Sequence, residues 1–171
     1  MSYQTEVLEI LLVLGAVIFV VFNFVILFGA PFLPTMKKEV KSAVKLMDLK
    51  PGQRMLELGS GDGRLLIAAA EAGLYATGIE LNPLLVIYSW FKTRKYKGRV
   101  KVIWGNFWKK EWPPTDGIFV FLLDPYMKRL NTRITQKYKN PVKLVSFAFK
   151  VPNRDISGKK RGLFLYEYNQ K

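Results

Sequence analysis

Glu57-Leu58-Gly59-Ser60-Gly61-Asp62-Gly63-Arg64 follows on the short apolar run Arg54 to Leu58 and precedes a helix-forming stretch, Leu65 to Ala72. Three glycines at alternate positions let the backbone turn sharply and approach a ligand without interference from a Cβ, while the helix after them points its N-terminus into the crevice. A glycine-rich turn alone is equally a plain strand-to-helix connection, so its surroundings decide. A second apolar run, Tyr75 to Leu81, carries Glu80 near its end, where an acidic side chain can accept both hydroxyls of a ribose. Arg64 stands where the dinucleotide fingerprint wants its last glycine, and the spacing is G-x-G-x-G preceded by an acid, which disfavours NAD. Glu57 suits a ligand carrying an ammonium group and would be poorly placed beside a pyrophosphate. No G-x-x-x-x-G-K-[ST] sequence occurs, so P-loop nucleotide hydrolysis is excluded.

Beyond this turn the alternation continues. Val100 to Ile103, Ile118 to Leu123 and Leu144 to Phe149 read as further strands separated by helical segments, and Gly162 to Tyr168 as a last strand running antiparallel at or near an edge, after a turn-forming segment from Asn153 to Arg161. The pattern predicts an α/β protein: a Rossmann-like three-layer α/β/α sandwich with a mostly parallel sheet. Asn82 and Pro83 start a helix by their own physics, Asn as N-cap and Pro at the first helical position. Tyr88, Trp90 and Phe91 in that helix read as packing residues. The basic stretch Lys92, Arg94, Lys95, Lys97, Arg99 and Lys101 reads as a solvated helix end, with lipid headgroups as its partner.

Upstream, Ile10 to Leu33 is almost wholly apolar and long enough to cross a hydrocarbon core of about 30 Å. No Lys or Arg precedes Lys37, which removes the positive n-region of a signal peptide; Lys37, Lys38, Lys41 and Lys45 follow the run. The expectation is one transmembrane helix, residues 1–33, ended by Pro31 and Pro34, with the remainder of the chain on the cytoplasmic side or its matrix-equivalent. Residues 34–50 read as an amphipathic connecting helix capped by Thr35 and lying against the domain formed by residues 51–171.

The composition narrows the chemistry. With 27 Lys and Arg against 13 Asp and Glu, the net charge of +14 calls for an acidic partner surface, anionic lipid or nucleic acid. There is no Cys and no His, which excludes thiolate nucleophiles, disulfides, the usual zinc clusters and the commonest general base; no metal site is expected.

The pattern E-L-G-S-G-D-G-R followed by G-I-E-L-N-P resembles the class I S-adenosylmethionine-dependent methyltransferases. Within them it is similar to a membrane-anchored group that includes the lysine methyltransferases of the ATP synthase c-subunit and the adenine nucleotide translocase, together with prokaryotic relatives. The resemblance runs from Pro31-Phe32-Leu33-Pro34-Thr35 to the final strand. It implies that S-adenosylmethionine is the cofactor, with Glu57, Gly59, Gly61 and Gly63 along its methionine side, Ser60 and Asp62 in the same turn, and Glu80 on the ribose. Leu81 and Asn82 would adjoin the adenosine, Asn106 would meet the adenine, and Phe107, with Trp108 beside it, would form part of the wall. It implies a lysine acceptor in an integral membrane protein. Three departures stand out. Asn106 replaces an Asp usual in relatives. Asp124-Pro125-Tyr126 partly resembles the Asp/Asn-Pro-Pro-Tyr motif of amino-group methyltransferases. The chain after the fifth strand is short, so one of seven strands is missing or rudimentary. Asp124 and Tyr126 are candidates to orient the acceptor amine or relay its proton, although Asp124 equally suits a turn before Pro125. The alternatives are a nucleic-acid or small-molecule N-methyltransferase, or a non-catalytic membrane adaptor.

Overall fold

The computed structural model describes residues 3–28 and 35–169. The chain divides into two compact units, Met1–Leu33 and Pro34–Lys171. The first contains one helix, α1, Tyr3–Phe28. Among the described residues no helix is long and apolar enough to cross a membrane. The apolar run read from the sequence continues to Leu33, and its end, with Pro31 and Pro34, lies outside the described residues.

The second unit is built on a seven-stranded sheet of β1 (Arg54–Leu58), β2 (Tyr75–Glu80), β3 (Val100–Trp104), β4 (Gly117–Val120), β5 (Val142–Phe147), β6 (Gly158–Lys160) and β7 (Leu163–Tyr168). Its order is β3-β2-β1-β4-β5-β7-β6. The first five strands are parallel, and β7 runs antiparallel to both of its neighbours. From β1 the chain winds outward through β2 to β3, then returns to lay β4 on the other side of β1. This reversal opens a crevice at the carboxyl ends of β1 and β4, where ligands bind in such sheets.

Alternation along the strands makes two cores. Leu56, Leu58, Ile118, Val120, Leu144 and Tyr166 face one side, packed with Met127, Leu130 and Ile134 of α5 (Asp124–Lys137) and with Trp112. Met55, Ala76, Phe119, Val145 and Leu163 face the other, against Val40, Ala43 and Met47 of α2 (Lys37–Met47) and Leu65, Leu66 and Ala69 of α3 (Arg64–Glu71). A fourth helix, α4 (Pro83–Thr93), lies beside α3. The layers are therefore uneven, with three helices on one face and α5 alone on the other.

Two local expectations are corrected. Thr35 does not cap α2: the N-cap is Met36, whose carbonyl accepts the first helical hydrogen bond from Val40, so Thr35 stands one residue too early. The segment from Asn153 to Arg161 is not all turn, because it contains β6, which pairs with β7 through a two-residue loop. Arg161 and Gly162 in that loop have φ of 51° and 75°, the pair of positive values a twisted hairpin favours. All seven strands are thus present, the sixth only three residues long. The fifth ends at Phe147 rather than Phe149, since Ala148 turns the chain out of the sheet at φ 68°.

Candidate active site

Glu57 is the fourth residue of β1, and strand alternation puts its side chain on the face of Met55, under α3. It is buried, and its Oε2 has no hydrogen-bond partner. Burial pushes its carboxyl well above the ordinary carboxylate range; the charges of Glu80 and Asp62 add to the rise and Arg64 opposes it. A buried acceptor of this kind is costly unless a donor or a cation completes it.

Glu80 ends β2 and holds two loops. Its Oε2 accepts from the Gly61 N–H at 2.8 Å and its Oε1 from the Asn82 N–H at 2.8 Å. Burial raises its pKa, opposed by backbone donors of Asn82, Gly61 and Leu81. Each carboxylate oxygen keeps a further lone pair, so a hydroxyl can still be accepted. Asn82 caps α4, with its Oδ1 accepting from Leu84 and Leu85. The Leu81 carbonyl accepts from the Trp104 indole at 3.0 Å.

The glycines of the turn do different work. A Cβ on Gly59, at φ 81°, would meet nothing within 4 Å. A Cβ on Gly63, at φ 74°, would stand 2.3 Å from the Ser89 hydroxyl and 3.2 Å from Thr93 Cγ2. The missing side chain of Gly63 therefore points at α4, and this glycine serves helix packing. Gly78 opens the G-I-E-L-N-P stretch, but its packing role is not read from the sequence: a Cβ added there would lie 2.5 Å from Ser60 Cβ. Only glycine at that point of β2 lets the turn lie across the strand, and its position two residues before Glu80 is the available signal.

Asp62 is committed within the protein. Its carboxylate receives Arg64 Nε at 2.8 Å, Arg64 Nη2 at 3.0 Å and Lys92 Nζ at 2.8 Å. Burial alone would raise its pKa, but the Arg64 and Lys92 hydrogen bonds and charges bring it down to about 2. Arg64 also donates to the Thr35 carbonyl at 2.9 Å, so one polar cluster ties the segment before α2, the glycine turn and α4 together. Lys92 belongs to this cluster rather than to a solvated helix end. Ser60 is buried, and its hydroxyl has no partner.

After β3, Asn106 closes a tight turn, its Oδ1 accepting from the Trp108 N–H at 2.8 Å. Phe107 and Trp108 follow with ring centroids 4.9 Å apart, and Trp108 is 6.3 Å from Tyr126. The Arg129 guanidinium covers Trp108 at 4.3 Å. Asp124 is exposed in the first turn of α5, and Tyr126 is half-buried behind it. The structure thus gathers the segments following β1, β2, β3 and β4 at one end of the sheet. It leaves Asp124 on the outer rim and draws Asp62 and Gly63 into the protein's own packing.

Residues 57–157 match the family described as the ANTKMT methyltransferase domain. The chain belongs to this family. It is 30% identical over 125 residues to the lysine N-methyltransferase of the ATP synthase c-subunit from Homo sapiens, covering 72% of this chain and 53% of that one. To the adenine nucleotide translocase lysine N-methyltransferase of Mus musculus it is 29% identical, covering 71% and 54%. To a protein-lysine N-methyltransferase of Saccharolobus islandicus it is 26% identical, covering 71% and 78%. The chain therefore spans about half the length of the mammalian relatives. An RNA methyltransferase from Salinibacter ruber, solved with S-adenosyl-L-homocysteine, shares the fold at a TM-score of 0.72 and 23% identity, over 80% of this chain and 92% of that one. In the ANTKMT family setting, the crevice above β1 and β4 is the candidate active site.

Proposed function

We propose that this chain is a membrane-anchored, S-adenosylmethionine-dependent protein-lysine N-methyltransferase acting on an integral membrane protein. The observation that carries the reading is the buried, unpartnered Oε2 of Glu57 beside a glycine turn, in a chain of the ANTKMT family. Glu57 is suited to receive the cofactor's ammonium group, and Glu80 its ribose hydroxyls. Gly59 and Gly61 allow close backbone approach; Phe107, with Asn106 beside it, is suited to the adenine side. When bound, the cofactor supplies an already activated methyl group, so the residues around it have chiefly to align the acceptor and exclude water. Asp124, exposed at the rim, and Tyr126 are the candidates to orient the acceptor amine or relay its proton, the neutral form of the lysine being favoured by an apolar approach. The apolar run from Ile10 to Leu33, with no basic residue before it and four lysines soon after, supports an anchor with the second unit on the cytoplasmic or matrix-equivalent side. The relatives named for the ATP synthase c-subunit and the adenine nucleotide translocase support a membrane-resident lysine as acceptor.

A nucleic-acid acceptor is the second reading, favoured by the Asp124-Pro125-Tyr126 triplet and the net charge of +14. Full-length protein incubated with labelled S-adenosylmethionine and membranes should label lysine in a membrane protein. Preferential labelling of added RNA or DNA would overturn the lysine reading, and absence of cofactor binding by calorimetry would overturn both.

A further inference from the structure

Helix α4 is oriented against ordinary expectation. Its buried positions are Leu85, Ser89 and Thr93, two of them small and polar, while most of its large apolar side chains face outward. Leu84, Ile87, Tyr88 and Phe91 form a stripe at helical spacing on the exposed side, with Trp90 next to it. Trp90 and Phe91 are each 66% exposed and Ile87 is 52% exposed. Tyr88, Trp90 and Phe91 are therefore not the packing residues that the sequence suggests; the packing against α3 is done instead by Ser89 and Thr93, because Gly63 lets that helix come close. A contiguous apolar stripe of this kind on a soluble face marks an interaction site.

The charge around the stripe identifies its occupant. From Leu81 to Lys110 the chain contains eight Lys and Arg residues and no Asp or Glu. Trp90 and Phe91 share a shallow cavity of about 370 Å³ with Arg94 and Lys97. Lys95 is also exposed, just past the helix end. Aromatic rings beside a mainly cationic rim of Arg94, Lys95 and Lys97, in which Glu71 on the Tyr96 hydroxyl is the acidic exception, match a bilayer interface, where Trp and Tyr settle at headgroup depth and Lys and Arg meet anionic phosphates.

We propose that the exposed face of α4 is a membrane-docking surface that inserts Ile87, Trp90 and Phe91 into the headgroup region of an anionic bilayer. This goes beyond the anchor: the second unit itself holds the membrane, through the helix that starts directly after Glu80 and Asn82. Docking would thus set the candidate active site at a fixed attitude to the lipid surface.

The absence of native Cys allows a single-label test in the full chain. Ile87→Cys and Phe91→Cys, each carrying an environment-sensitive fluorophore, are reconstituted into phosphatidylcholine vesicles with or without phosphatidylglycerol; Lys139→Cys, exposed after α5, serves as control. Lipids brominated on the upper acyl chain should quench positions 87 and 91 several-fold more than position 139. The effect should weaken in neutral vesicles and in an Arg94→Glu, Lys95→Glu, Lys97→Glu variant. Quenching equal to the control overturns the proposal, whether α1 or a second copy covers the face. Shielding of the fluorophore by RNA but not by lipid also overturns it. Resistance of the same protein to alkaline extraction reports the α1 anchor separately, so either idea can fail without the other.

Discussion

Glu57 and Asp62 stand at the two ends of one turn and are pushed in opposite directions. Glu57 is raised well above its ordinary value near 4.5 by burial and by neighbouring Glu80 and Asp62, with no protein donor on its Oε2. A group raised by folding contributes stability that is complete below its unfolded pKa and lost as pH rises through the folded one. The ligand-free protein should therefore lose stability upward from about pH 4.5, over the window set by the raised value. Glu57→Gln should remove that loss, stabilising the ligand-free protein at neutral pH by about 1–3 kcal/mol while abolishing cofactor binding. Thermal melts from pH 4 upward, with calorimetric titration of S-adenosylmethionine, check both halves; a variant less stable at pH 7.5 would refute the account. Asp62 is lowered to about 2 by Arg64 and Lys92 against the rise from burial, so its contribution is present above about pH 4 and lost as pH falls through about 2. Glu80 supports Gly61 and Asn82 as well as any ribose, so Glu80→Ala should both loosen the turn and weaken the cofactor. Glu80→Gln keeps an acceptor for one loop and should retain more of the melting temperature than of the affinity.

At the scale of elements, the glycine turn and the sheet are legible in the sequence because their signals are local. Strand β1, the turn, α3 and β2 each carry apolar periodicity bounded by turn residues, and the antiparallel β7 is equally plain. Strand β6 is not, because Gly158, Lys159 and Lys160 offer no alternation and are held by pairing with Leu163 to Leu165. The outward face of α4 is hidden for the reverse reason. Its apolar residues occur all around the helix, so sequence alone does not tell which face a close-packed α3 will claim. At the site, Glu57 and Glu80 can be read from their places at strand ends, whereas the commitment of Asp62 to Lys92 joins residues thirty positions apart and needs the fold. The close approach of α3 and α4 gives a prediction. Gly63→Ala introduces a Cβ at positive φ and 2.3 Å from the Ser89 hydroxyl, and should destabilise the unit by about 1–3 kcal/mol. Adding Ser89→Ala should restore part of the loss, since the nearest clash disappears while the strained φ remains. Additive losses in the double-mutant cycle would show that the contact is not where the strain lies.

For the whole molecule, the proposed anchor and the second unit would divide the work of reaching a substrate. The second unit contains both hydrophobic cores and the described residues of the candidate site, so cofactor binding is expected to be independent of residues 1–33. Helix α2 is folded onto the sheet of the second unit rather than left as a free spacer. A tethered enzyme meets a membrane-resident acceptor at high effective concentration and gains nothing against a freely diffusing one. Removal of residues 1–33 should accordingly leave S-adenosylmethionine affinity unchanged while methylation of membrane protein falls by on the order of 100-fold. The loss should be steepest at high salt: with α1 gone, only the cationic, aromatic face of α4 would hold the unit to anionic lipid, at about 1 kcal/mol per Lys or Arg near the surface, and salt screens that attraction. Co-sedimentation with anionic vesicles across a salt series, in parallel with labelled methyl transfer to membranes, separates the contributions. If the truncated protein methylated membranes as well as the full chain at high salt, proximity would not be what residues 1–33 supply. If it lost cofactor affinity as well, the two units would not be independent in function.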